Sequence, residues 1–285
     1  MADGPISIRG AIDFSWTLWT THWRGIWGVL ALSSLAATVA IAGQLANNDL
    51  VYAAGLGASV TISLMANGAV FRLAFADRHP GDAGYIPGPS GLQWRSMEWR
   101  MLGATLLLLA FELITITLLV VVVLAVAAGI MVNRGAALTP PTSPEAVIKA
   151  LGPEGGSAVS ILAIVAYAAF LFVAVRLSLT AAATADEGRV QVLSTWRLTK
   201  GQFWRIVFSL FVVMLPLLLA SFLIGATSAA PQLGSTTPPA LSPSAALLSG
   251  LIMGILSGGV VQPLMNGVLA YYCRKLRTPT VGGAT

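Results

Sequence analysis

The chain has 285 residues, 56% of them hydrophobic and only 9% charged, with 16 Lys and Arg against 11 Asp and Glu for a formal net charge of +5. So few charges cannot solvate a water-soluble surface of this size, and the strongly positive mean hydropathy calls for a bilayer. The single cysteine, Cys273, excludes an internal disulfide framework, and His22 and His79 are too far apart for a Cys/His zinc site.

In chain order, the sequence reads as an all-α integral membrane protein. A helix needs about 20 mostly apolar residues to cross roughly 30 Å of hydrocarbon. Six windows qualify, near residues 25–45, 51–75, 101–132, 158–183, 206–226 and 245–272. Backbone polar groups in lipid must be satisfied within their own segment, which leaves six transmembrane helices. Ahead of the first window, "ISIRGAIDFSWTLWTTHW" sets Ile8, Ile12, Trp16, Trp19 and Trp23 at helical spacing, so residues 6–23 are predicted to lie as an amphipathic helix in the interface. Asp3, Asp13, His22 and these tryptophans stand where a signal peptide would keep its apolar core, so no cleaved leader is expected.

Trp23-Arg24, Trp99-Arg100 and Trp204-Arg205 open windows one, three and five. Indole rings favour the headgroup level and arginine reaches toward phosphate, so each pair is predicted to anchor a helix at one interface. "SGLQWRSMEWR", before window three, has a poor apolar stripe and reads as a degenerate interfacial helix. Residues 186–201 are predicted to form another before window five, with Asp186 and Glu187 as capping acids and Gly201 as its break. "SWTLWTTHWRGI" and "TWRLTKGQFWRI" share Trp, Leu and Trp-Arg landmarks, while "MANGAVFRLA" and "MNGVLAYYCRKL" close windows two and six with Asn-Gly, then aromatic and arginine. Three parallel hairpin repeats, each entered from the same side, are the expected architecture.

Lys and Arg gather at the starts of the odd windows and the ends of the even ones, whereas residues 227–244 carry no charge. This bias places both termini in the cytoplasm and makes anionic lipids of the inner leaflet the expected partner. Nucleic acid is not expected, because the basic residues form no continuous groove.

Ionisable residues within a span are costly and therefore candidates for function. Glu112 lies about 16 Å beyond Met101 at 1.5 Å per residue, Arg176 stands about two turns before the end of window four, and the two are predicted to pair. Asn67 and Asn266, with Gln44 and Gln262, suit hydrogen bonds between helices, and Gly250, Gly254 and Gly258 form a small-xxx-small register for close packing. Pro216 and Pro263 can kink windows five and six. "SPEAVIKALG", residues 143–152, has a capping Ser, Pro at the first helical position and a closing Gly, so a short surface helix is predicted. No Ser-His-Asp set, Gly-rich phosphate loop or metal-spaced cluster occurs, so neither catalysis nor cofactor nor metal is expected.

"AVRLSLTAAATADEGRVQVLSTWRLTKGQFWRI", residues 174–206, and the ending "VLAYYCRKLR" resemble the glycerophosphodiester phosphodiesterase membrane-domain family and YciC-like inner-membrane proteins. The resemblance covers the last third of the chain in its residues and the rest by architecture. It implies a six-span bacterial inner-membrane domain. It does not carry over the hydrolase activity of fused relatives, because no segment here has room for the soluble barrel. The expected role is non-enzymatic: lipid binding, lipid handling or membrane scaffolding. The alternatives are a small secondary transporter with a polar pathway around Glu112 and Arg176, and an accessory subunit of a membrane complex. A second copy of the chain or another membrane protein is an expected partner alongside lipid.

Overall fold

A computed structural model of the protein describes residues 6–86, 88–135, 144–229 and 243–277. Among the described residues there are helices and turns but no strand. The helices are α1 (Ile8–Leu45), α2 (Asp49–Phe75), α3 (Ser96–Asn133), α4 (Pro144–Leu177), α5 (Thr180–Glu187), α6 (Ser194–Leu198), α7 (Phe203–Ala229), α8 (Pro243–Gly254), a π-helical turn (Ile255–Val261) and α9 (Gln262–Arg277). Six stretches are long and apolar enough to cross a membrane: Ile8–Gln44, Asp49–Arg78, Pro89–Asn133, Leu151–Glu187, Phe203–Leu223 and Leu247–Arg277.

Close approaches along α1 run antiparallel to both α2 and the last span. Gly55 meets Ala40 on one side, while Ile41 meets Gly250 and Ser15 meets Gly267 on the other. The starts of α1, α3 and α7 therefore share one end of the bundle with the ends of α2, α5 and α9. Here the main apolar core collects, with Phe71, Phe75, Met101, Leu179, Ile206, Val268 and Tyr272 fully enclosed. Lipid tails are as apolar as leucine and supply no hydrophobic drive between helices. Apolar packing is accordingly concentrated at this basic end, and the most apolar windows of α3 and α4 are 6% and 0% buried against 39% for α1.

Several elements depart from the sequence reading. Residues 8–23 are not a separate interfacial helix: α1 runs unbroken through Trp23 and Arg24. The face it uses differs too: within residues 8–23 the buried positions are Ala11 and Ser15, not the predicted stripe of Ile8, Ile12, Trp16, Trp19 and Trp23, and Ser15 lies against Gly267 of α9. Residues 186–201 do not make one helix either. Asp186 and Glu187 end α5, Gly188 closes it at φ 64°, and Gly201 at φ 79° turns the chain between α6 and α7. The segment before α3 is a loop of three short 3-10 turns that folds back on α1, where Gly91 meets Ile26 and Val29, and a side chain at Gly28 would collide with Ser90. The predicted helix at 143–152 is the first part of α4, which kinks at Gly152 (φ 62°) just before Pro153; Ser143 lies outside the described residues.

Candidate functional site

The enclosed charges lie where α2, α3 and the loop between them converge at the basic end. Glu98, three residues into α3, takes the Arg95 backbone N–H at 2.8 Å, as an acid in a first helical turn favours. Its carboxylate meets Arg72 of α2 as a two-pronged pair, Nη1 to Oε1 at 2.6 Å and Nη2 to Oε2 at 2.7 Å, with both side chains wholly enclosed. Arg72 Nε also donates to the Gly84 carbonyl at 2.8 Å. A side chain on Gly68 would overlap the Glu98 carboxylate, so the glycine one turn before Arg72 provides the space. Charges so far from water persist only when paired and hydrogen-bonded; Nη2–Oε2, the Gly84 carbonyl and the Arg95 N–H supply hydrogen bonds, while Nη1 and Oε1 are in ionic contact without hydrogen-bond geometry.

Beside this pair opens a polar pocket of about 320 Å³ whose wall includes Arg72, His79, Tyr85, Arg95, Arg100 and Glu187. Tyr85 stacks on His79 at 4.0 Å and donates its hydroxyl to the Ala185 carbonyl at 2.6 Å. Burial, helped by the nearby Asp186 and Asp82 carboxylates, pushes the Tyr85 phenol above its ordinary pKa. Arg95 donates to the Ala83 carbonyl at 2.9 Å, whereas Arg100 makes no hydrogen bond or ion pair among the described residues and lies over Gly188. Asp186 and Glu187 stand at the C-terminal end of α5, the unfavourable end of the helix dipole for an anion. Arginines offset this, with Arg78 at 3.0 Å from Asp186, and Arg277 at 2.6 Å from Glu187.

Glu112 and Arg176 do not pair. Glu112 has no hydrogen-bonding or ionic partner among the described residues. Arg176 instead sits between the rings of Phe172 and Trp196 at 5.1 and 5.5 Å and donates to the Trp196 carbonyl. The turn at Ser178 and Leu179 ends α4 here and lets α6 fold back over the arginine, so the π-faces receive the cation. Of the three Trp-Arg pairs, the rings of Trp23, Trp99 and Trp204 are 45%, 62% and 67% exposed, the outward position an anchor requires. Arg24 lies over the Trp23 ring at 5.8 Å, and Arg205 bonds Gln202 at 3.1 Å.

A second polar group lies deeper. Gln262 Nε2 donates to the Ser63 carbonyl at 3.3 Å and to Asn67 Oδ1 at 2.8 Å, and Asn266 Nδ2 donates to the same oxygen at 2.6 Å. The two Asn-Gly exits thus meet across α2 and α9. Gly250, Gly254 and Gly258 all face α1, toward Ile41, Ser34 with Ala37, and Ser33 respectively. Within the π-helical turn the Gly259 carbonyl, to which Pro263 has no N–H to give, accepts the Trp19 indole N–H at 3.1 Å.

Sequence reasoning missed Glu98, Tyr85 and the loop that carries the pocket. One signal was available, an acid three residues behind an arginine at the mouth of an apolar run. Comparison of the chain with models of protein families, with characterised proteins and with solved structures finds no match.

Proposed function

We propose that this is a non-enzymatic lipid-interacting protein of a bacterial inner membrane, which takes the phosphate of an anionic lipid headgroup in the pocket beside Arg72 and Glu98. The observation that carries this reading is Arg100, an arginine without an ionic partner among the described residues, on a polar wall shared with Arg95 and His79 and next to the outward-facing Trp99. The basic end then faces the cytoplasm, where Lys and Arg near span ends are retained and anionic lipids gather. The three Trp-Arg pairs set the depth of a bundle that derives from three parallel repeats, as the resemblance in the last third of the chain also suggests. The test is retention of phosphatidylglycerol against phosphatidylcholine by the intact chain in mixed nanodiscs, read by native mass spectrometry. Arg100→Gln is expected to reduce the preference about fivefold, the equivalent of about 1 kcal/mol for one basic residue. Equal retention of the two lipids by the unaltered chain overturns the reading.

The sparsely buried α3 and α4 favour a second reading, in which another membrane protein or a second copy covers them and the chain is an accessory subunit. A stoichiometric protein after gentle extraction, bound to wild type and lost on substitution along α3, distinguishes it. The transporter reading has less support, since Arg176 lies against Phe172 and Trp196 and not against Glu112.

A further inference from the structure

The amide cluster of Asn67, Gln262 and Asn266 borders a cavity of about 410 Å³, within the size range of small-molecule sites. Its walls come from α1, α2, α7 and the π-helical turn with α9, and none of its lining residues is ionisable. Asn67 lies about 7.5 Å and Ser59 about 20 Å back along α2 from Arg72, at 1.5 Å per residue, so the cavity lies within the span. Asn67 and Arg72 are also roughly 140° apart around the helix, which separates this cavity from the headgroup pocket.

The cluster's bonding leaves a defined set of groups over. A backbone carbonyl can only accept, so the Ser63 carbonyl fixes which end of the Gln262 amide is the nitrogen. That nitrogen in turn fixes Asn67 Oδ1 as the acceptor it shares with Asn266. The Asn67 amide N–H groups, Gln262 Oε1 and Asn266 Oδ1 are then without a partner among the described residues. The serines show a parallel contrast. Ser34, Thr38 and Thr61 bond back to the carbonyl one turn earlier, as hydroxyls in apolar helices do, and so does Ser257 on the cavity wall to the Gly254 carbonyl, whereas Ser33, Ser59 and Ser63 on that wall have no such bond among the described residues. Donors and acceptors inside a membrane span are held open at a site that carries no charge, at a π-helical turn of the kind that marks functional sites.

We propose that this cavity binds the oxygen-bearing part of an uncharged lipid with both a hydroxyl and ester carbonyls, the chemistry of a diacylglycerol. The hydroxyl donates to Gln262 Oε1 or Asn266 Oδ1, the Asn67 amide and the serine hydroxyls donate to the ester oxygens, and the acyl chains remain in the hydrocarbon. An anionic headgroup is excluded because nothing on the wall neutralises it.

The test uses the full chain in nanodiscs doped with dioleoylglycerol, with retention read by native mass spectrometry. Wild type is expected to keep the lipid, and Gln262→Leu to lose it at least tenfold. Ser59→Leu narrows the cavity at a half-buried position without touching the amide cluster, and is expected to lose it as well while eluting as the wild type does. Arg100→Gln is expected to keep it, which separates this site from the headgroup pocket. Failure of wild type to retain dioleoylglycerol overturns the proposal, as does retention undiminished in Ser59→Leu. Equal retention of a hydroxyl-free quinone overturns the assignment of the hydroxyl.

Discussion

The spans of α1, α2, α7 and α9 differ from the pair α3 and α4 in what holds them together. In the first group, glycines and small side chains let backbones touch and amides bond across helices, and a buried ion pair from Arg72 of α2 to Glu98 of α3 joins it to the second at the basic end. The second pair is almost free of buried residues in its most apolar windows, and its far ends meet where Gly155 faces Ile130 and Arg134 reaches Glu154 at 3.5 Å. Apolarity does not explain the packing, because the loosely held pair is the more apolar: no window of the first group exceeds either of its two in mean hydropathy. What differs is the presence of small and polar residues at facing positions, which is what associates helices once lipid removes the hydrophobic drive.

The largest effect expected from this contrast is at the joint between the groups. Glu98→Gln leaves Arg72 enclosed and without its counter-charge, which costs about 3–5 kcal/mol. Glu112→Gln, on the sparsely packed pair, is expected to stay within about 0.5 kcal/mol. Denaturant unfolding in one detergent measures both, and comparable losses would dissolve the distinction. Glycines give the next test, with opposite signs. A methyl on Gly55 would lie 2.5 Å from the Ala40 backbone nitrogen, so Gly55→Ala is expected to destabilise by about 1–3 kcal/mol. Gly129 and Gly156 face open space, and alanine there is expected to raise the melting temperature, since glycine costs up to about 1 kcal/mol in a helix. A smaller loss, about 1 kcal/mol, is expected for Trp19→Phe, which removes the donor to the Gly259 carbonyl that Pro263 leaves unpaired.

How much of this the sequence shows follows from which physical signal each feature leaves. Apolar length alone announces the six spans, and residue size alone announces the glycine register, since only small side chains at that spacing permit contact. The continuity of α1 was hidden because its tryptophans suggested an interfacial stripe, while in residues 8–23 the face it packs is marked only by Ala11 and Ser15. The pairing of Arg72 with Glu98 instead of Arg176 with Glu112 depends on the loop between α2 and α3 folding back on α1. Such a tertiary event leaves no period in the sequence. Asn67 and Asn266 were readable as interhelical glue. That Gln262 and Asn266 would both donate to Asn67 Oδ1 was not, because it depends on how far α9 is turned by the π-helical segment ahead of it.

The weakest tie in the comparison is also the one with a pH signature. Tyr85 anchors the loop between α2 and α3 to α5 through its bond to the Ala185 carbonyl, and Tyr85→Phe is expected to cost about 1 kcal/mol at neutral pH. Burial first, and the Asp186 and Asp82 carboxylates after it, raise the phenol's pKa in the folded protein above the ordinary value of 10.0. A folded pKa that is raised means the stabilisation is complete below the ordinary value and is lost as pH climbs through the folded one. The stability difference between wild type and Tyr85→Phe should therefore stay level from pH 6 to about 9 and fall only above about 10. A decline that begins below pH 9 would place the hydroxyl in water and release the loop from α5. The loop that carries the polar pocket would then belong with the loosely held pair instead of with the packed bundle.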